Sequence, residues 1–336
     1  MHGFISNSRN WFGSGLPFAF LALIVSAMAV APQIRAQEKG SGSASCAPSD
    51  LSSSIAQQGH IVQVTPAAEE SGRKENARLS GTMASSDVAA SPADIEQRKE
   101  AYKIFLKEAR RGNPAAMVNT GVASLAGWGT ESNAGAALYW LHAAADSGYG
   151  PALYNLGILF FKGCSVPKDA AEAFHFFDLG ARAGYGSAEV NLGYLYDHGL
   201  GVGQDHAAAA SWYRRAAESG VVQAQYNLGD MYLHGDGAPK DEPAAFVWFQ
   251  KAALQGHTGA QIMAGSMLAA GRGTSKDLVG AYFWVFKAVL QGDDRGAVTL
   301  RALERQLTSE QIEQAKAHAK SFSGAHEAGS SVVLLH

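Results

Sequence analysis

The stretch that decides the fold is Asn191-Leu192-Gly193-Tyr194-Leu195-Tyr196-Asp197-His198-Gly199-Leu200-Gly201-Val202, closed by Trp212-Tyr213-Arg214-Arg215-Ala216-Ala217-Glu218-Ser219-Gly220. Stepping 36 residues in either direction finds the same pattern again. Glycine recurs at Gly112, Gly148, Gly184, Gly220, Gly256 and Gly292, at Gly121, Gly157, Gly193, Gly229 and Gly265, and at Gly127, Gly163, Gly199, Gly235 and Gly271. Alanine holds Ala116, Ala152, Ala188, Ala224 and Ala260, then Ala137, Ala173, Ala209, Ala245 and Ala281. A large aromatic stands at Trp140, Phe176, Trp212, Trp248 and Trp284. Columns that stay in phase over five copies define a repeat architecture, in which no unit buries its apolar face alone.

Each unit reads as two helices. Ala188, Leu192, Leu195 and Tyr196 follow a helical period in helix A. The glycines from Gly199 to Gly203 break it, since glycine accepts the left-handed backbone at a helix end. Asn133, Asp169, Asp205, Asp241 and Asp277 stand where helix B begins, and all are good N-caps. A glycine inside helix A, such as Gly193, costs about 1 kcal/mol against alanine. That cost implies close approach of the facing helix, with the Trp212 column expected to fill the neighbouring gap.

These residues resemble the Sel1-like repeat. The likeness rests on the stretch above and on Tyr226-Asn227-Leu228-Gly229-Asp230-Met231-Tyr232 followed by Trp248-Phe249-Gln250-Lys251-Ala252-Ala253. It covers five units, and the outer copies drift, with Thr120 and Ala264 in place of leucine. The resemblance implies an all-α fold: an α-solenoid, wound as a right-handed superhelix of five 36-residue helix-turn-helix repeats with terminal capping helices. It also implies a protein or peptide partner. Exported members include periplasmic regulators that restrain membrane sensor kinases, so an envelope sensor kinase is one partner class it suggests.

The repeats are expected over 113–292. Residues 96–112 read as an N-terminal cap, an orphan helix B with Tyr102, Phe105 and Ala109 on one face. Residues 293–322 read as C-terminal capping helices, opened by a capping box from Thr308 to Gln311 and striped by Ile312, Ala315, Ala319 and Phe322. Residues 323–336 carry no pattern and read as a disordered tail. Residues 30–95 are rich in Ser, Ala and Gly, with no aromatic between Phe20 and Tyr102, and read as a disordered tether. Residues 1–29 read as a signal peptide: Arg9, an apolar run from Leu16 to Ala31, and a small-x-small site at Ala27-Met28-Ala29. The expected location is therefore periplasmic or secreted, and an uncleaved N-terminal membrane anchor is the alternative. Cys46 lacks the leucine-led box of a lipoprotein. A Cys46–Cys164 bridge is open in an oxidising compartment, though nothing in the spacing selects it.

Composition excludes some functions. The 336 residues are 47% hydrophobic, enough for a sizeable core, and 17% charged with net charge −3, which argues against a nucleic-acid binder. Candidate contact residues lie on a stripe of helix A that varies between copies while the packing columns do not. Its members are Pro151, Asn155, Ile158 and Lys162 in the second copy, Ser187, Asn191, Tyr194 and His198 in the third, and Gln223, Asn227, Asp230 and His234 in the fourth. Their i, i+4, i+7, i+11 spacing shares one face, on the expected concave side. Asn119, Asn155, Asn191 and Asn227 form an amide ladder suited to a peptide backbone, unless each bonds to its own fold. Tyr194 is an aromatic anchor candidate. His198, Asp230 and His234 are too few and too spread for a metal site, and no cofactor motif occurs. The one enzyme-like spacing is Ser165-Val166-Pro167-Lys168, as in penicillin-interacting serine enzymes, which makes an envelope hydrolase the alternative. Pro167 disfavours the helical turn that chemistry needs.

Overall fold

The computed structural model describes residues 92–163 and 165–322. The signal-peptide, tail and cysteine expectations lie outside the described residues, as does the tether up to residue 91; its last four residues, 92–95, are helical and correct the expected boundary. Thirteen α-helices are present there: α1 Pro92–Arg110, α2 Pro114–Ala126, α3 Ala134–Ala145, α4 Gly150–Lys162, α5 Ala170–Arg182, α6 Gly186–His198, α7 His206–Glu218, α8 Val222–His234, α9 Glu242–Leu254, α10 Thr258–Ala270, α11 Leu278–Leu290, α12 Ala297–Glu304 and α13 Ser309–Ser321, with a 3₁₀ turn at Asp294–Gly296. The repeats are the A–B pairs α2–α3 through α10–α11, each packed on the next as an α-solenoid. Among the described residues no helix is long and apolar enough to cross a membrane.

Local chemistry sets where the B helices start and where the A helices end. Asn133, Asp169, Asp205, Asp241 and Asp277 each accept a first-turn N–H of helix B at 2.9 Å. Each such cap contributes about 1 kcal/mol. Helix A ends on Gly127, Gly163, Gly199, Gly235 and Gly271, all left-handed, with φ between 65 and 84°. Thr308 and Gln311 close a reciprocal capping box at α13. Ala315, Ala319 and Phe322 of that element are buried against the last repeat.

The glycines inside helix A do mark close approach, but the facing residue is not the expected one. A Cβ at Gly157 would lie 2.6 Å from the Phe177 ring, and at Gly193 2.8 Å from Tyr213. Gly121, Gly229 and Gly265 meet Leu141, Phe249 and Val285 in the same way. The filling column is thus one residue beyond the tryptophans. Phe177 and Phe249 are fully buried, whereas Phe176, Trp212 and Trp248 are only half-buried. Trp212 and Trp248 instead lie under cations, Arg215 5.4 Å above the first and Lys251 3.8 Å above the second, whereas Trp284 of the last repeat is buried and meets Phe322 edge-on at 6.0 Å. One residue on a helix is a turn of about 100°, enough to move a side chain from the intrahelical seam to its flank.

A second interlock joins successive repeats. The A–B loop of each repeat rests on the first turn of the preceding B helix. Gly201, Gly237 and Gly273 have positive φ, and a Cβ on any of them would overlap the carbonyl of Ala170, His206 or Glu242 respectively. Gly129 meets the Arg98 carbonyl of α1 in the same register, so the N-terminal cap is an orphan helix B. Helix α1 starts at Pro92, four residues earlier than the sequence reading placed it. In the second repeat the same loop position is Ser165, the sole non-glycine with positive φ among the described residues (φ 61°).

The polar part of the seam was not foreseen. Glu189, Gln225 and Gln261 are buried between repeats, one place after the alanine column. Gln225 and Gln261 donate to the Ala217 and Ala253 carbonyls at the end of the preceding B helix. Gln255 and Gln291 in turn donate to their side-chain oxygens. Glu189 has no amide to donate, and Arg215 replaces it. Its Nε lies 2.8 Å from Glu189 Oε1, and its Nη2 reaches the Ala181 carbonyl at 3.3 Å. Glu189 Oε2 is buried without a partner. Burial pushes the Glu189 carboxyl above its ordinary 4.5, opposed by Arg215. A carboxyl raised in the fold costs nothing below its ordinary value and costs more as pH rises through the shifted range. Arg215→Ala is therefore expected to lose about 2 kcal/mol near neutral pH. The loss should shrink by more than half in acid below 4.5, as read by urea unfolding at both pH values.

Candidate partner-binding face

Helix A carries the candidate stripe because its other faces are committed. The Ala188, Leu192 and Leu195 face is buried on helix B and on the neighbouring repeat. The A helices α2, α4 and α6 also touch one another, so the A layer is closely packed. What remains accessible differs between copies. In the third, Ser187, Asn191 and Tyr194 are half-buried and His198 is exposed. In the fourth, Gln223 and His234 are exposed while Asn227 and Asp230 are half-buried. In the second, Pro151 and Ile158 are buried, which corrects the expectation of an open face there; only Asn155 and Lys162 keep exposed surface. Apolar side chains at those two places pack, whereas Tyr194 and Asp230 at the Ile158 position keep a polar group to solvate.

The asparagine ladder serves the fold as well. Asn155 Nδ2 donates to the Pro151 carbonyl and Asn191 Nδ2 to the Ser187 carbonyl, both at 2.8 Å and four residues back. One amide hydrogen of each is thus spent within its own helix. Asn227 accepts at Oδ1 from Gln223 Nε2 at 2.8 Å and also bonds the Tyr213 hydroxyl. Burial drives the Tyr213 phenol well above its ordinary 10, so the hydroxyl keeps its proton.

The aromatic and acidic members are brought together in pairs. Tyr194 stacks on the His198 ring at 4.1 Å and meets Phe161 edge-on at 6.2 Å. His198 Nδ1 lies 3.1 Å from the Tyr194 carbonyl. His234 Nδ1 lies 3.0 Å from the Asp230 carbonyl and 3.4 Å from its Oδ1. Burial raises the Asp230 carboxyl above 3.8; His234 opposes this, and Asp236 and Asp197 add to it. Asp197 itself pairs with His206 at 2.6 Å, a contact that sequence reasoning missed because the two lie nine residues apart across a loop. Among the described residues no group of three metal-ligating side chains forms, and His198 is not joined to Asp230 and His234.

Among the described residues nothing supports the enzyme alternative at Ser165 and Lys168. Both are exposed in the loop between α4 and α5, off any helix. The Lys168 ammonium lies over the Phe161 ring at 5.9 Å.

Helix pairs stacked in strict register, each burying its face on the next, define a helical-repeat protein. The chain belongs to the Sel1 repeat family, whose model matches residues 114–149, 150–185, 186–221, 222–257 and 258–293. Sel1 repeats generally mediate protein–protein interaction. Among solved structures, the chain is similar to a Sel1 repeat protein from Oxalobacter formigenes, at 28% identity and TM-score 0.58, covering 68% of this chain and 93% of that one. It is also similar to c5321, a protective antigen of uropathogenic Escherichia coli displaying an SLR fold, at 23% identity and TM-score 0.46, over 73% and 63% of the two chains. A third is the immunity protein Pa5087 from Pseudomonas aeruginosa, at 19% identity and TM-score 0.44, over 76% and 85%. A search of curated proteins finds no match.

Proposed function

We propose that the protein is a non-catalytic scaffold or regulatory adaptor of the bacterial cell envelope that binds a protein or peptide along its A-helix face. The carrying observation is the contrast within helix A. The glycine and alanine columns recur in every copy on the packed side, while the stripe through Asn155, Asn191, Tyr194, His198, Asn227, Asp230 and His234 keeps exposed surface, with a constant asparagine column beside a place that changes from Ile158 to Tyr194 to Asp230. A face left out of stacking and rich in amides, a stacked tyrosine–histidine pair and a carboxylate suits an extended polypeptide. Export to the periplasm or beyond follows from the apolar run at Leu16–Ala31. A membrane sensor kinase is the partner class that the family resemblance suggests.

The test starts with cross-linking in the native envelope to identify the partner. It then compares recovery by the wild type and by Asn191→Ala/Tyr194→Ala/His234→Ala. Asn227 is left in place because it also holds the buried Tyr213 hydroxyl. Recovery should fall at least about tenfold, with the melting temperature held within a few degrees. Equal recovery of the same partner would remove this face as the site.

A further inference from the structure

One histidine sits where its protonation state and the docking stripe are mechanically joined. His257 is the N-cap of α10, and its Nδ1 accepts the Ala260 N–H at 3.0 Å. An accepting Nδ1 places the ring proton on Nε2, which faces Gln223 Oε1 at 3.3 Å. Gln223 then turns its amide nitrogen to Asn227 Oδ1 at 2.8 Å, and Asn227 is left to donate to the Tyr213 hydroxyl. The neutral Nε2–H tautomer therefore sets the direction of every bond from α10 through α8 to α7. The imidazole is clamped in that place by Tyr226, stacked on it at 4.6 Å and 24°.

We infer that His257 is an acid-sensitive latch that sets the orientation of the Gln223 and Asn227 carboxamides on the A-helix face. A doubly protonated ring presents N–H at both nitrogens. Its Nδ1–H would then oppose the Ala260 N–H, so the ring must leave the cap. Gln223 loses its donor when it does, and Asn227 loses the constraint that fixes its flip. Charged groups from each packed element bear on the ring. Arg295 opposes its protonation and Asp293 favours it, and these two pair with each other at 2.8 Å. Asp230, on α8, acts on the adjoining Tyr226, whose phenol is raised chiefly by burial. Burial, then Arg295, holds the imidazole below its ordinary 6.5, so the neutral form is the folded one. The sign follows: the cap is intact above 6.5 and is lost as pH falls through the shifted value. This regulation acts on the face proposed above as the docking surface and rests on that reading. The relay itself is read in the free protein, so a failed latch and a failed docking face give different results.

The test is a pH titration of the free full-length protein by NMR, from about pH 7.5 to about pH 5. The side-chain amide signals of Gln223 and Asn227 should move in step with the His257 ring. Exchange of the Ala260 amide, corrected for its intrinsic rate, should speed up at least about tenfold over the same range. The control is His257→Asn, which copies the native cap of α2: Asn113 occupies the same column and accepts the Ala115 and Ala116 N–H groups. In that variant the Asn227 signals should hold still. Asn227 signals that ignore the wild-type ring, or that move equally in His257→Asn, overturn the latch. Should the variant lose its fold, the wild-type titration decides alone, because the step between ring and amides is either present or absent there.

Discussion

Phe177→Ala is expected to destabilise the protein by about 3–5 kcal/mol, the range for emptying a fully buried aromatic site. Phe177 is wholly buried and lies against Gly157. Its ring is also 6.0 Å from that of Tyr154, within the cluster that joins the first three repeats. The helix backbones meet at this place and cannot collapse into the space. Trp248→Ala is the control. That ring is half-buried beneath Lys251, so about half the loss is expected from the smaller area withdrawn from water. Urea unfolding followed by circular dichroism gives both values. A larger loss for Trp248 than for Phe177 would mean that the seam has been assigned to the wrong column.

The same contact makes a double-mutant prediction. Gly157→Ala alone should destabilise, since its Cβ would stand 2.6 Å from the Phe177 ring. In the Phe177→Ala background the same change should stabilise by about 1 kcal/mol or more, through helix propensity and partial filling of the void. A change of sign between backgrounds is the signature of direct contact. Equal effects in both would place the glycine away from the ring.

Gly201→Ala should carry the second large effect, a loss of about 3 kcal/mol. Two costs combine there. The left-handed backbone (φ 69°) disfavours any Cβ, and that Cβ would overlap the Ala170 carbonyl in the first turn of α5. Either the loop lifts off the preceding repeat or the turn of α5 opens. Hydrogen exchange should then speed up at the first turn of α5 while the distant α10 and α11 keep their protection. Ser165→Gly is the mirror experiment at the equivalent loop of the second repeat. It relieves a serine held at φ 61° and should stabilise by about 1 kcal/mol. A destabilised Ser165→Gly would show that the hydroxyl makes a contact worth more than the strain, and would reopen a role for that side chain.

The candidate face was legible only in part. The i, i+4, i+7, i+11 stripe picked out Asn191, Tyr194, Asn227 and Asp230, and the structure leaves all of them with some exposure. The same rule failed at Pro151 and Ile158, which are buried. Variation shows that a position is not tied to one residue type; it does not show that the position meets solvent. The amide ladder left two outcomes open in the sequence, a free edge for a peptide or bonds within the fold, and Asn155 and Asn191 spend a hydrogen on their own helices. The seam column of Glu189, Gln225 and Gln261 had a signal that could have found it, since polar residues sit at a place where the second copy has Leu153.

From the sequence by itself came the 36-residue period, the two helices of each unit, their aspartate and asparagine caps, their glycine ends and the capping box at Thr308. The period is read by direct comparison of copies, and the caps and helix ends depend on residues within about one helical turn of one another, where backbone geometry or a side-chain oxygen decides the outcome locally. Only the tertiary structure decided which aromatic column faces the mid-helix glycines, that Arg215 stands in for a missing amide beside Glu189, and that His257 lies against Gln223, which bonds Asn227. Those outcomes depend on how one helix is rotated and set against another. A periodic pattern gives the spacing of side chains along a helix, but the packing of the neighbouring helix selects which of two adjacent columns is pressed into the seam.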